Sequence, residues 1–168
     1  MKKIIFLLLL LGIVTLFIYH PIVIDLTEDI HYNQPPYSFD ESINPIAQYN
    51  FGKNSKVYIH LEQTDKILVP NEIENASVLI CEDENILKEF QKQFIFKPTR
   101  GDIATVESWI YVYQKGKLIF KSAIILDKNS IGLQNREMGC AEIEKREEFI
   151  KAISRFERSY FPIHLLKN

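Results

Sequence analysis

The sequence predicts an α+β domain, a mainly antiparallel sheet with two packed helices, behind an apolar N-terminal transmembrane or signal-anchor helix. Three observations point there. Two extended runs, Val106 to Tyr113 and Leu118 to Leu126, flank the tight turn Gln114-Lys115-Gly116-Lys117. Two other stretches, one on each side of this hairpin, place apolar residues at helical spacing, around Leu87 and around Phe149. The first two dozen residues open with Lys2 and Lys3 and then run uncharged from Ile4 to Tyr19. Strands, a helix, strands and a helix in that order suggest an antiparallel sheet covered by helices.

The amino terminus has the layout of a secretory signal, basic residues before an apolar run. Cleavage needs small residues at the −3 and −1 positions, and no such pair lies between Gly12 and Ile24. A helix over the sixteen uncharged residues 4–19 spans roughly 24 Å, short of a ~30 Å hydrocarbon core, and extension through Pro21 to Ile24 would supply the rest. The expected organisation is a membrane anchor or signal segment over 1–24, a linker over 25–55 and the α+β domain over 56–168. The positive-inside rule then leaves the amino terminus in the cytoplasm and the domain outside it, a single pass through the cytoplasmic membrane by residues 4–24.

Residues 25–55 contain Pro35 and Pro36, which forbid a helix there. Tyr32, Tyr37, Phe39, Tyr49 and Phe51 are too many aromatics for a solvated linker, so this stretch is expected to pack on the domain. Val57 to Leu61 alternates as a half-buried strand does, and Ala76 to Cys81 is a second apolar run. Asp83 is a good N-cap for a helix that aligns Ile86, Leu87, Phe90 and Phe94. Ile131 to Gln134 reads as a third strand beside the hairpin. Ile143, Phe149, Ile150, Ile153, Phe156 and Tyr160 mark one face of a final helix, with Glu144, Lys145, Glu148, Lys151, Arg155 and Glu157 on its solvated face.

Of the 168 residues, 46% are hydrophobic and 25% charged, ordinary values for a folded domain. The chain carries 20 cations and 22 acids; removing Lys2 and Lys3 leaves residues 25–168 at a formal −4. A mildly acidic domain lacks the electrostatic footprint of a nucleic-acid binder. The four histidines, His20, His31, His60 and His164, have no zinc-ligand spacing to one another or to a cysteine. Gly52-Lys53-Asn54-Ser55 fails as a phosphate loop, since Ala47 stands where the first glycine belongs. Arg100-Gly101-Asp102 is sufficiently explained as a turn. No metal or cofactor is implied by these patterns.

Two features remain for function. Cys81 and Cys140 are the only cysteines, and in an oxidising compartment an even count permits one bridge; two buried thiols are the alternative. In a two-residue hairpin at Lys115-Gly116, Tyr113 opposes Leu118, Tyr111 opposes Phe120 and Trp109 opposes Ser122. Trp109, Tyr111, Tyr113 and Phe120 then form an aromatic face that is either packed under the 25–55 segment or presented to a partner. These features suggest a membrane-anchored extracytoplasmic binding protein that holds a protein partner in the bacterial envelope, an inhibitor or immunity protein being one instance. The alternative is an envelope enzyme whose site is assembled by folding from scattered acids and a histidine.

Overall fold

The computed structural model describes residues 2–28, 30, 41–99, 107–136 and 138–168. The fold is α+β, built on a mainly antiparallel sheet of eight strands with three helices. Tyr32, Tyr37, Phe39, Val106 and the Arg100-Gly101-Asp102 tripeptide lie outside the described residues.

Helix α1, Lys2–Tyr19, begins the chain. Its large apolar side chains from Ile4 to Leu16 are 46% to 70% exposed, so this stretch of the helix lies open, and contact with the domain is made at its end, where Arg158 lies over the Tyr19 ring. Eighteen residues at about 1.5 Å each give about 27 Å. No helix among the described residues is long and apolar enough to cross a membrane. The expected helical extension to Ile24 does not form. Pro21 has no amide to donate and disfavours helix at the residue before it. The chain instead enters strand β1, Ile22–Asp25.

The large sheet contains β2 (Ser55–His60), β3 (Val78–Cys81), β4 (Phe96–Thr99), β5 (Trp109–Gln114) and β6 (Lys117–Leu126). It is completed by β7 (Ile131–Asn135), β8 (Gly139–Ile143) and the short β9 (Glu157–Arg158). Their order is β4-β8-β7-β6-β5-β2-β3-β9, and every pairing is antiparallel. Pro98 sits in β4, which is an edge strand and tolerates a residue that cannot donate to the ladder.

Helices α2 (Glu84–Gln93) and α3 (Arg146–Ile153) pack against each other on one face of this sheet. Asp83 caps α2, its carboxylate accepting from the amides of Asn85 and Ile86. Leu87 and Phe90 face the core. Phe90, Phe94, Phe149 and Phe156 meet there, and Phe94 and Phe149 both touch Phe96 of the edge strand. Ile46 and Phe51 join the same buried cluster. The Gln91 side chain holds that entering segment, donating to the carbonyls of Ile46 and Tyr49 at 2.6 Å.

The final helix is shorter than the apolar spacing predicts. It ends at Ile153, Phe156 turns into the core, and Glu157–Arg158 pairs with β3 instead. The amide of Ser159 continues this attachment by donating to the Val78 carbonyl at 2.9 Å. An unpaired edge of β3 competes successfully for the backbone groups that a longer helix would have used.

The last strand, β10 (Ile163–Leu166), pairs in parallel with β1 to make a separate two-stranded ribbon. This ribbon covers part of the sheet face opposite the helices. The chain segment that follows α1 is therefore tied into the folded body, and the expected boundary between anchor and linker at residue 24 falls inside a strand.

Candidate functional site

The hairpin turn forms as the sequence predicts, with Lys115 at φ 52° and Gly116 at φ 77°, and Tyr113 opposite Leu118. Beyond that pair the ladder is bulged. Val112 opposes Phe120, Tyr111 opposes Lys121, Ile110 opposes Ser122 and Trp109 opposes Ala123. Ile119 is the extra residue, and its carbonyl accepts from the Tyr49 hydroxyl at 3.3 Å. One inserted residue reverses the facing of everything after it. Phe120 turns to the helix side, fully buried, with its ring 5.6 Å from that of Phe94. Trp109, Tyr111 and Lys121 share the other face. The expected aromatic surface of Trp109, Tyr111, Tyr113 and Phe120 is thus divided between two layers, because the core gains a fully buried phenylalanine by the shift.

Among the described residues, the face left to Trp109, Tyr111 and Tyr113 is covered by the ribbon. Asp25 reaches down from β1. Its Oδ2 accepts from the Tyr111 hydroxyl at 2.9 Å and pairs with Lys121 Nζ at 3.0 Å, while Oδ1 accepts from the Thr27 hydroxyl and amide. Burial works to raise this carboxyl, but the Thr27 bonds, then Lys121 and Tyr111, offset it and hold Asp25 below its ordinary value. Lys121 also lies over the Trp109 ring at 5.0 Å. From β10, His164 meets Tyr58 edge-on at 6.1 Å, and Tyr58 meets Tyr113 at 5.9 Å. Burial drives the Tyr111 phenol far up and the Tyr113 phenol to about 12, so both remain protonated at neutral pH. Tyr111 is 1% exposed, which makes it a strut under the ribbon.

A groove of about 450 Å³ opens where the ribbon meets the β3 side of the sheet. Tyr58, Ile80, Ile86 and Phe161 supply its apolar lining, and Lys56, Glu82, Arg155 and Glu157 its charged rim. Lys56 pairs with Glu82 and lies over the Tyr58 ring at 4.8 Å. Burial lowers the Lys56 ammonium, but its hydrogen bond to Glu82, then Tyr58, overcomes this and holds it above its ordinary value. Ile163, His164 and Leu165 of β10 also line the groove. The amides of Ile22 and Leu26 donate to the carbonyls of Pro162 and Leu166. In a parallel pair this alternation turns the backbone groups of Ile163 and Leu165 away from β1. Among the described residues no strand pairs with that side of β10.

His164 is 7% exposed, and its Nε2 finds no hydrogen-bond partner among the described residues. Burial, then the charges of Lys56 and His60, hold it below the ordinary histidine value, so it is neutral at pH 7. His60 is also held down by burial, its Nε2 3.7 Å from Glu62. Cys81 lines the groove, but burial pushes its thiol up to about 11, which removes it as a nucleophile. Among the described residues no group of three His, Cys, Asp or Glu side chains could hold a metal ion.

Of the two alternatives for Cys81 and Cys140, a bridge or two buried thiols, no bridge is made, and Cys140 is only half-buried. Both are free thiols. Cys81 ends β3 and Cys140 lies in β8, five strand spacings apart. That is roughly 24 Å, against the ~4.4–6.8 Å between Cα atoms that a disulfide requires. Cys140 belongs to a strand on the far half of the sheet from Cys81.

Comparison with family models, curated proteins and solved structures gives no match. The ribbon and its groove are features that sequence reasoning missed. Their signals were Ile22-Val23-Ile24 and Ile163-His164-Leu165, each too short to stand out as a period-two pattern.

Proposed function

We propose that this chain is a membrane-anchored extracytoplasmic binding protein that holds a protein partner in the bacterial envelope, as an inhibitor or immunity protein does. The groove beside the side of β10 that no strand among the described residues pairs with carries this reading. It offers what an extended segment of a partner needs: main-chain groups to pair with, apolar pockets for alternate side chains and a rim of both charges. Helix α1 supports the anchor, since an apolar helix exposed from Ile4 to Leu16 is suited to an apolar surround. Its length of about 27 Å falls slightly below a ~30 Å hydrocarbon core, a mismatch that the lysines at its start and Tyr19 and His20 at its end would absorb. The reading places the amino terminus inside the cytoplasm and residues beyond 25 outside it.

A photoreactive side chain at Ile86 or Glu157, in the full chain in native membranes, tests the groove. One protein should crosslink from both positions and not from Glu147, which lies exposed on α3. Equal or absent crosslinking at all three positions refutes the groove. An external protease should digest residues beyond 25 while the chain stays with the membrane through a high-salt wash.

A second reading, an envelope enzyme, draws on the unpartnered Nε2 of His164 beside the groove. It requires turnover that disappears in His164→Gln without a change in melting temperature. Stoichiometric capture of an unaltered partner contradicts it.

A further inference from the structure

The outward face of the β1–β10 ribbon is aliphatic without interruption. Partners in a parallel pair point their side chains to the same side, and the register sets Ile22 beside Ile163 and Ile24 beside Leu165. These four are 42% to 59% exposed, and Leu26, next in the alternation, is 62% exposed. The inward set behaves oppositely: His164 and Leu166 are buried, and Asp25 reaches Tyr111. At the end of the ribbon nearest α1 stand Tyr160 and Phe161, 63% and 70% exposed. The Arg158 guanidinium lies between the rings of Tyr19 and Tyr160, at 4.6 Å and 5.6 Å. The patch continues directly from the apolar helix, since only His20 and Pro21 separate α1 from β1.

We infer that this ribbon face lies on the lipid surface, so that the domain is docked on the bilayer rather than suspended above it. The inference rests on the anchored reading of α1. Three features select lipid over a second copy of the chain or another protein. The patch begins two residues after the apolar helix, so a membrane that holds the helix is already in reach. Its composition is aliphatic in the middle and aromatic at the helix end, the distribution that suits the boundary between acyl chains and headgroups. Arg158, held between two exposed aromatic rings, presents a guanidinium at the level where lipid phosphates would lie. The groove opens beside the same strand, so docking also directs the partner-binding side along the membrane surface.

The test uses the full chain with Cys81 and Cys140 replaced by serine, reconstituted in vesicles of phosphatidylethanolamine and phosphatidylglycerol. An environment-sensitive fluorophore is attached at Ile24→Cys, Leu165→Cys, Leu9→Cys or Glu147→Cys, one site at a time. Circular dichroism confirms that each labelled chain keeps the fold, and Ile163→Cys replaces either ribbon site that does not. Ribbon labels should lose most of their quenching by aqueous iodide, measured against the Glu147 label, and gain quenching by lipids carrying a shallow nitroxide. Iodide quenching at the ribbon equal to that at Glu147, with the Leu9 label quenched by lipid, overturns the docking and leaves the anchor standing. Ribbon labels shielded from iodide but untouched by nitroxide lipids mean that protein covers the face, which also overturns it. A Leu9 label open to iodide removes the anchor, and the docking falls with it.

Discussion

Replacing Phe120 with alanine probes the bulged hairpin, the feature that divides the aromatic residues between two layers. Phe120 is 0% exposed and its ring meets Phe94 edge-to-face at 5.6 Å. Truncating a fully buried phenylalanine costs ~3–5 kcal/mol. At about 2–4 °C per kcal/mol for a chain of this size, the melting temperature should fall by roughly 6–20 °C. A double-mutant cycle separates this register from an unbulged one. Phe120→Ala and Phe94→Ala should couple by about 0.5–1.5 kcal/mol, the worth of an aromatic pair beyond its buried area. Phe120→Ala and Trp109→Ala should add within about 0.5 kcal/mol, since the two rings lie on opposite faces of the sheet and share no partner. Urea unfolding in mild detergent, followed by near-ultraviolet circular dichroism, supplies the free energies. Coupling to Trp109 that exceeds coupling to Phe94, or a loss below ~1 kcal/mol for Phe120→Ala alone, where burial predicts several, would refute the bulge.

The remaining predictions concern the ribbon and the thiols. Asp25→Asn should cost about 1 kcal/mol at pH 7, the scale of a partly exposed ion pair with one phenol bond. Because the folded carboxyl titrates below its ordinary 3.8, that stabilisation is present above pH 3.8 and disappears as pH falls through the lower folded value. The variant and the unchanged protein should therefore converge in acid unfolding curves; a gap that persists at the acid end contradicts the assignment. His60 and His164 are both held below the ordinary 6.5, so their share of stability is complete above pH 6.5 and drains away on acidification. His164→Gln should flatten stability between pH 6.5 and the folded value, and an unchanged slope would show that this histidine is not buried in solution. Cys140 should react with a maleimide in the native protein while Cys81 reacts only after unfolding, and both should react without reductant. A single species that migrates faster on non-reducing gels would restore the bridge.

Local chemistry determined much of this protein from sequence alone. Gly116 and Lys115 set the hairpin turn, Asp83 the start of α2, and the spacing of Leu87, Phe90, Phe149 and Ile153 the faces that two helices bury. Such features depend on a few neighbouring residues, so their pattern survives without knowledge of the fold. The same locality accounts for what was not legible. A bulge is a choice between two registers of identical sequence, and it is decided by whether Phe94 is waiting for Phe120. The helix after Arg146 stops early because β3 offers an edge that only the assembled sheet creates. The ribbon joins residues about 140 positions apart, and neither of its four-residue strands can hold a shape alone. The cysteines follow the same rule: their number was open to reading, but their separation was settled by the order in which eight strands lie side by side. Sequence alone set the apolar helix, the turn and the helical faces, because those energies are local; tertiary structure decided the sheet faces, edges and groove, because their energies exist only between distant parts of the chain.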